Sequence, residues 1–165
     1  MSSILNSWAH VPDTKCYARK ENCVVDKKYK YQTLILRIDQ AIEDEFFLEA
    51  TWIAYAILED RLVSVLRESG ADPTIRMLGP KLIAVQSKTQ QSINMRKAFF
   101  GDMLDRLKAW KDKRNDLMHA LADERQDIPD IDQAAQSVAI EGRDLAREFA
   151  AACRRFKKIN NNDDA

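Results

Sequence analysis

Arg114, Asn115 and His119 fall within six consecutive residues, and together they offer chemistry that an ordinary helix does not need. A guanidinium grips phosphate oxygens with paired N–H groups and neutralises negative charge that builds up on them. An imidazole takes or gives a proton near neutral pH. A carboxamide can orient the imidazole or bind a phosphate oxygen. Arg plus His without an obvious metal set suits one reaction in particular, cleavage of RNA by the neighbouring 2′-hydroxyl. A plainer reading stays open beside it. Arg114 can be a structural cation paired with a buried carboxylate, and His119 an ordinary surface histidine.

The helix that carries these residues makes Arg114 conspicuous. Its apolar seam runs Met103, Leu107, Trp110, then position 114, then Leu117 and Leu121, at spacings of 4, 3, 4, 3 and 4. Arg114 therefore stands where the pattern expects a core residue, and a permanent charge there needs a counter-charge, a ligand or an open cleft. His119 follows five residues later, about 140° further round an ideal helix, so the two reach one site only if it is broad. Asn115 and His119 lie one turn apart.

The other elements read as helices too. Residues 31–68 contain no Gly or Pro, and their apolar spacing predicts a central helix buried on two faces, with a break near Asp44 and Glu45. Gly70 ends it, and Asp72-Pro73 and Gly79-Pro80 punctuate a connection. A shorter helix follows, with Pro80 in its first turn and Leu82, Ile83, Val85 and Ile93 for packing. Phe99, Phe100 and Gly101 form a joint before Asp102, a candidate N-cap. Residues 123–130 read as a loop ending at Pro129. The last helix shows a regular seam of Ile131, Ala135, Val138, Gly142, Leu145, Phe149, Ala152 and Phe156, whose small members let a neighbour approach closely. Trp52, Phe99, Phe100 and Trp110 have the spacing of packing residues rather than base-stacking ones. The expected fold is all-α, a four- to five-helix bundle.

Composition agrees with that class. Among 165 residues there are only 4 Gly and 4 Pro, too few turn formers for an all-β sandwich or barrel. The N-terminal residues carry no apolar run of signal-peptide length, and the most apolar stretch is too short to span a membrane. Three cysteines, Cys16, Cys23 and Cys153, are odd in number and form no disulfide framework. The expectation is a cytoplasmic, reduced protein with no membrane association. His10, Cys16 and Cys23 are too loosely spaced for a zinc knuckle, so neither metal nor cofactor is expected. The chain divides into an irregular arm over residues 1–29, a helical domain over 30–158 and a disordered tail over 159–165.

Arg114, Asn115, Asp116, Leu117, Met118, His119 and Ala120 resemble the R-N-x-φ-x-H-[GA] form of the R-x4-6-H motif of HEPN domains (higher eukaryote and prokaryote nucleotide-binding), with Trp110 four residues ahead. The resemblance implies a helical bundle that dimerises and brings two motifs into one cleft. It implies a metal-independent endoribonuclease of a toxin–antitoxin, phage-defence or RNA-processing system, or a relative that has lost catalysis and binds RNA or a partner protein such as an antitoxin. Carried over by position, Arg114 contacts phosphate, His119 is the acid/base and Asn115 supports them. Such domains often add an acidic residue from an earlier helix. Glu59 and Asp60 are the candidates, Glu59 equally as a structural salt bridge to Arg114. A toxin subgroup carries Tyr two residues after the His; here Ala120 and Leu121 follow, so control through that Tyr is not implied.

Charge is balanced overall, with 26 basic and 26 acidic residues, but segregated along the chain. Residues 38–60 hold seven acidic side chains and no basic one, and residues 123–148 hold eight acidic against three basic. Residues 96–114 hold seven basic against three acidic. Arg106, Lys108, Lys111 and Lys113 there form a candidate RNA-binding patch beside the motif. Pairing of basic with acidic faces inside the bundle is the competing expectation. Arg154, Arg155, Lys157 and Lys158 make a second basic cluster.

Overall fold

The computed structural model describes residues 27–163, and all of their regular structure is helical. Six helices follow in order: α1 Lys27–Glu43, α2 Phe47–Glu68, α3 Leu78–Gln91, α4 Ile93–Ala98, α5 Met103–Ala120 and α6 Ile128–Asp163. Among the described residues, no helix is long and apolar enough to cross a membrane. His10, Cys16 and Cys23, and the first 26 residues of the expected arm, lie outside the described residues. The rest of that arm belongs to α1, which starts at Lys27.

The predicted break near Asp44 is a sharp reversal with a defined mechanism. The Phe46 N–H donates to the Ala41 carbonyl at 2.7 Å and the Glu45 N–H to that of Ile42 at 3.2 Å. These bonds satisfy the last carbonyls of α1 in a Schellman motif, and they require the left-handed backbone that Glu45 adopts at φ 63°. Gly70, at φ 66°, ends α2 by the same motif, with Ala71 N–H bonded to Leu66 at 2.8 Å and Gly70 N–H to Arg67 at 3.3 Å. There the sequence supplies the glycine that such a position favours.

The expected single helix after Pro80 is two. Ser92 breaks it and caps α4, its hydroxyl accepting from Met95 N–H at 3.3 Å. Ile83 and Ile93, expected to pack, are instead exposed. Asp102 occupies the N-cap position of α5 but makes no capping bond with its side chain. Pro129 does not end a loop; it is the second residue of α6, where the helix has no use for its missing N–H. Nor do residues 159–163 form a disordered tail. Ile159 and Asn160 are half-buried, and Asn94 of α4 donates to Asn160 at 3.4 Å, so α6 continues to Asp163.

α6 packs along α2 and also contacts α1, α4 and α5, while α3 bridges α2, α4 and α5. Every member of the predicted α6 seam is buried. Phe149 meets Phe99 with ring centroids 5.4 Å apart, and Phe99 meets Phe156 at 6.0 Å. At Gly142 the seam admits the Trp110 ring of α5 so closely that a Cβ would sit 2.8 Å from it. One turn earlier the Trp110 indole N–H donates to the Val138 carbonyl at 2.8 Å. Trp110 is completely buried and fixes α5 against α6 one turn before Arg114.

Candidate functional site

Past Trp110 the seam of α5 reaches Arg114, and the side chain leaves α5 for α2. Its guanidinium carbon stands 4.9 Å from the Tyr55 ring centroid and 5.2 Å from that of Trp52. Trp52 and Tyr55 are three residues apart in α2, so their rings share one helical face and form a shelf. A cation over an aromatic face gains about 0.5–1 kcal/mol per ring at a partly exposed site. The spacing of Trp52 predicts a core residue, and the structure corrects this: it is 57% exposed, covered in part by the Arg114 side chain of α5. Phe100, also assigned to packing, is 63% exposed beneath the Arg155 guanidinium.

Arg114 is half-buried, yet its charge has no carboxylate partner among the described residues. Its nearest polar contact is the Asn115 side-chain oxygen, which accepts from Nη1 at 3.4 Å. Its Nε is buried and finds no acceptor among the described residues. Leaving such a donor unmet costs about 1–3 kcal/mol, and separately an anion beside the half-buried guanidinium would supply the counter-charge it lacks. The anticipated salt bridge to Glu59 does not form. Glu59 instead accepts from Lys81 of α3 at 2.5 Å, and Lys81, with 7% of its side chain exposed, needs that carboxylate more than the accessible Arg114 does.

Asp60, the other acidic candidate, is committed elsewhere. It accepts from the Tyr31 hydroxyl, from Arg61 at 2.8 Å and lies 3.5 Å from Lys27. Burial alone would raise its pKa, but the hydrogen bonds from Tyr31 and Arg61 and the charge of Lys27 outweigh it and hold the carboxyl below its ordinary value. Neither acidic candidate thus joins the motif. Asn115 and His119 are exposed on the surface of α5, with His119 in its last turn. Among the described residues, no group of three His, Cys, Asp or Glu side chains stands ready to hold a metal ion.

The candidate RNA-binding patch is largely neutralised, which corrects the picture of a free basic surface. Lys113 pairs with Glu141 at 2.8 Å and Arg106 with Glu148 at 2.9 Å, joining the basic face of α5 to the acidic face of α6. Lys111 pairs with Asp112 at 2.5 Å, and Lys108 is exposed. Ion pairs this exposed are worth about 0–1 kcal/mol, so they can exchange for phosphate, but they remove the long-range field expected there. Within this stretch of α5, Arg114 is a half-buried cation with no carboxylate partner among the described residues. Its aromatic shelf escaped the sequence reading, although the three-residue spacing of Trp52 and Tyr55 was a usable signal.

Comparison with known proteins adds no relative: no family model matches the chain, and no curated protein or solved structure shows significant similarity to it.

Proposed function

We propose that the protein is a metal-independent endoribonuclease acting in the cytoplasm in defence, as the toxin of a toxin–antitoxin pair, or in RNA processing, with its site completed when two copies place their HEPN-like motifs across one cleft. The observation that carries this reading is Arg114, half-buried on the Trp52–Tyr55 shelf, with no carboxylate among the described residues to neutralise it. A phosphodiester supplies the missing counter-charge. In the proposed step, His119 of one copy takes the proton of a ribose 2′-hydroxyl, whose oxygen attacks the adjacent phosphorus. The bond from phosphorus to the 5′-oxygen breaks, and that oxygen takes a proton from His119 of the second copy. The products are a 2′,3′-cyclic phosphate and a 5′-hydroxyl end. Arg114 holds the non-bridging oxygens and Asn115 steadies the guanidinium.

Two copies are needed because His119 projects about 140° away from Arg114 on the same helix. In EDTA, RNA cleavage is expected, with Arg114→Ala and His119→Ala each lowering the rate at least ~100-fold at unchanged helicity. Cleavage that survives both substitutions refutes the proposal. A second reading, a non-catalytic module that binds RNA or a partner protein, draws support from Glu59 and Asp60, which are both engaged away from His119. It predicts no cleavage at any pH, while Arg114→Ala still weakens binding.

A further inference from the structure

The basic cluster near the end of the chain has no role at the motif, and the fold gives it company. A cleft of about 300 Å³ opens between the start of α1, the second half of α2 and the last third of α6. Five cations line it, Lys27, Arg61, Arg67, Arg154 and Lys157, against one lining carboxylate, Glu68. Three separate helices deliver these charges, so their convergence is a property of the fold and not of one basic run. Asp60 offsets only part of the excess, through Lys27 at 3.5 Å and Arg61 at 2.8 Å. Arg67, Arg154 and Lys157 have no ion-pair partner among the described residues.

Arg61 is held in place before any ligand arrives. It lies over the Tyr31 ring at 4.0 Å, is tied to Asp60, and keeps a buried Nε without an acceptor among the described residues. Val65, Phe156 and Cys153 also line the cleft, and Val65 and Phe156 are buried. Burial pushes the Cys153 thiol up to about 12, so it stays protonated and adds no negative charge. Apolar side chains among the cations strengthen attraction for an anion, because less water screens it. The cleft also stands apart from Arg114. Arg61 and Ser64 each follow Trp52 and Tyr55 by nine residues, which is half a turn round α2 and about 14 Å along it.

We propose that this cleft is a second ligand site, specific for a compact diphosphate, either free or carried by a small molecule. The volume suits a small ligand rather than a nucleic-acid strand. Guanidinium groups from α2 and α6 match diphosphate oxygens in a fork-to-oxygen geometry, with Lys27 and Lys157 as point charges.

The test is calorimetric titration of the full-length protein at low salt with two probes, inorganic pyrophosphate and adenosine diphosphate. One site per chain is expected. Replacing the exposed pair Arg154→Ala and Lys157→Ala together should weaken binding at least about tenfold, and Arg114→Ala should change it less than about twofold. Equal binding of both probes identifies the diphosphate alone as the ligand, and tighter binding of the nucleotide identifies a carried one. The proposal is overturned if neither probe binds at millimolar concentration. It is equally overturned if binding depends on Arg114 and not on Arg154 and Lys157, or if the double variant, still helical, loses only affinity for RNA.

Discussion

Replacing Gly142 with alanine should destabilise the protein, although alanine is the better helix former. The added Cβ would stand 2.8 Å from Cζ2, 2.9 Å from Nε1 and 3.0 Å from Cε2 of Trp110, a rigid ring with no exposed surface to yield into. Overpacking of this kind costs about 1–3 kcal/mol. Displacing the ring also stretches its 2.8 Å hydrogen bond to Val138, worth about 0.5–1.5 kcal/mol. The higher helix propensity of alanine returns about 1 kcal/mol. The balance is a loss near 2 kcal/mol, or a fall in Tm of about 4–8 °C for a chain of this length. Gly79→Ala is the control: its Cβ would meet only Lys111 Cδ, at an ordinary 3.8 Å, so it should be neutral or slightly stabilising. Thermal unfolding followed by circular dichroism measures both. A Gly142→Ala protein as stable as its parent would refute the close Trp110–Gly142 approach and, with it, the clamp that sets α5 one turn before Arg114.

The Glu59–Lys81 pair should respond asymmetrically. Glu59→Ala strands a Lys81 side chain that is only 7% exposed and should cost about 2–4 kcal/mol in urea unfolding, whereas Lys81→Met leaves a more accessible carboxylate and should cost under about 1 kcal/mol. Equal costs would sink that reasoning. The Tyr31–Asp60 pair predicts a pH signature at both ends. Asp60 is held below its unfolded value, so its contribution is present above about pH 3.9 and lost as pH falls through the folded value. Tyr31 is raised, first by burial and then by its bond to Asp60, so its contribution is present below about pH 10 and lost as pH climbs toward the folded value. Urea midpoints should therefore fall more steeply in acid for the parent than for Asp60→Asn, and more steeply in alkali than for Tyr31→Phe.

Periodicity is informative where a helix is buried along its whole length and silent about where cover ends. The α6 seam from Ile131 to Phe156 is legible because every position meets a neighbour. Trp52 has the same regular spacing but is left largely exposed among the described residues, and spacing cannot report a missing neighbour. Arg114 is legible as an interruption, while its resting place is not, because that depends on which cation reaches Glu59 first. Lys81, in a helix whose register the sequence left loose, takes that carboxylate. The break near Asp44 and Glu45 is legible without a glycine to mark it, since the span from Tyr31 to Glu68 is long for one globular helix. Pairing of the basic with the acidic faces is one of the two expectations the sequence leaves open, but the particular partners are not legible in it, because Lys113 meets Glu141 only through the register of α5 on α6.

The order of the helices has a consequence for synthesis. α2 buries its apolar face chiefly against α6, the last of the described helices. On a ribosome adding about 5–20 residues per second, the α6 seam emerges roughly 3 to 18 s after α2 is finished. Throughout that interval Leu58, Leu62, Val65 and Leu66 lack the cover that α6 provides, and only α1 and, as it emerges, α3 can shield α2. The nascent chain is thus a natural client for chaperones that hold exposed apolar helices, and messages cut short before α6 yield a product that cannot hide its own core.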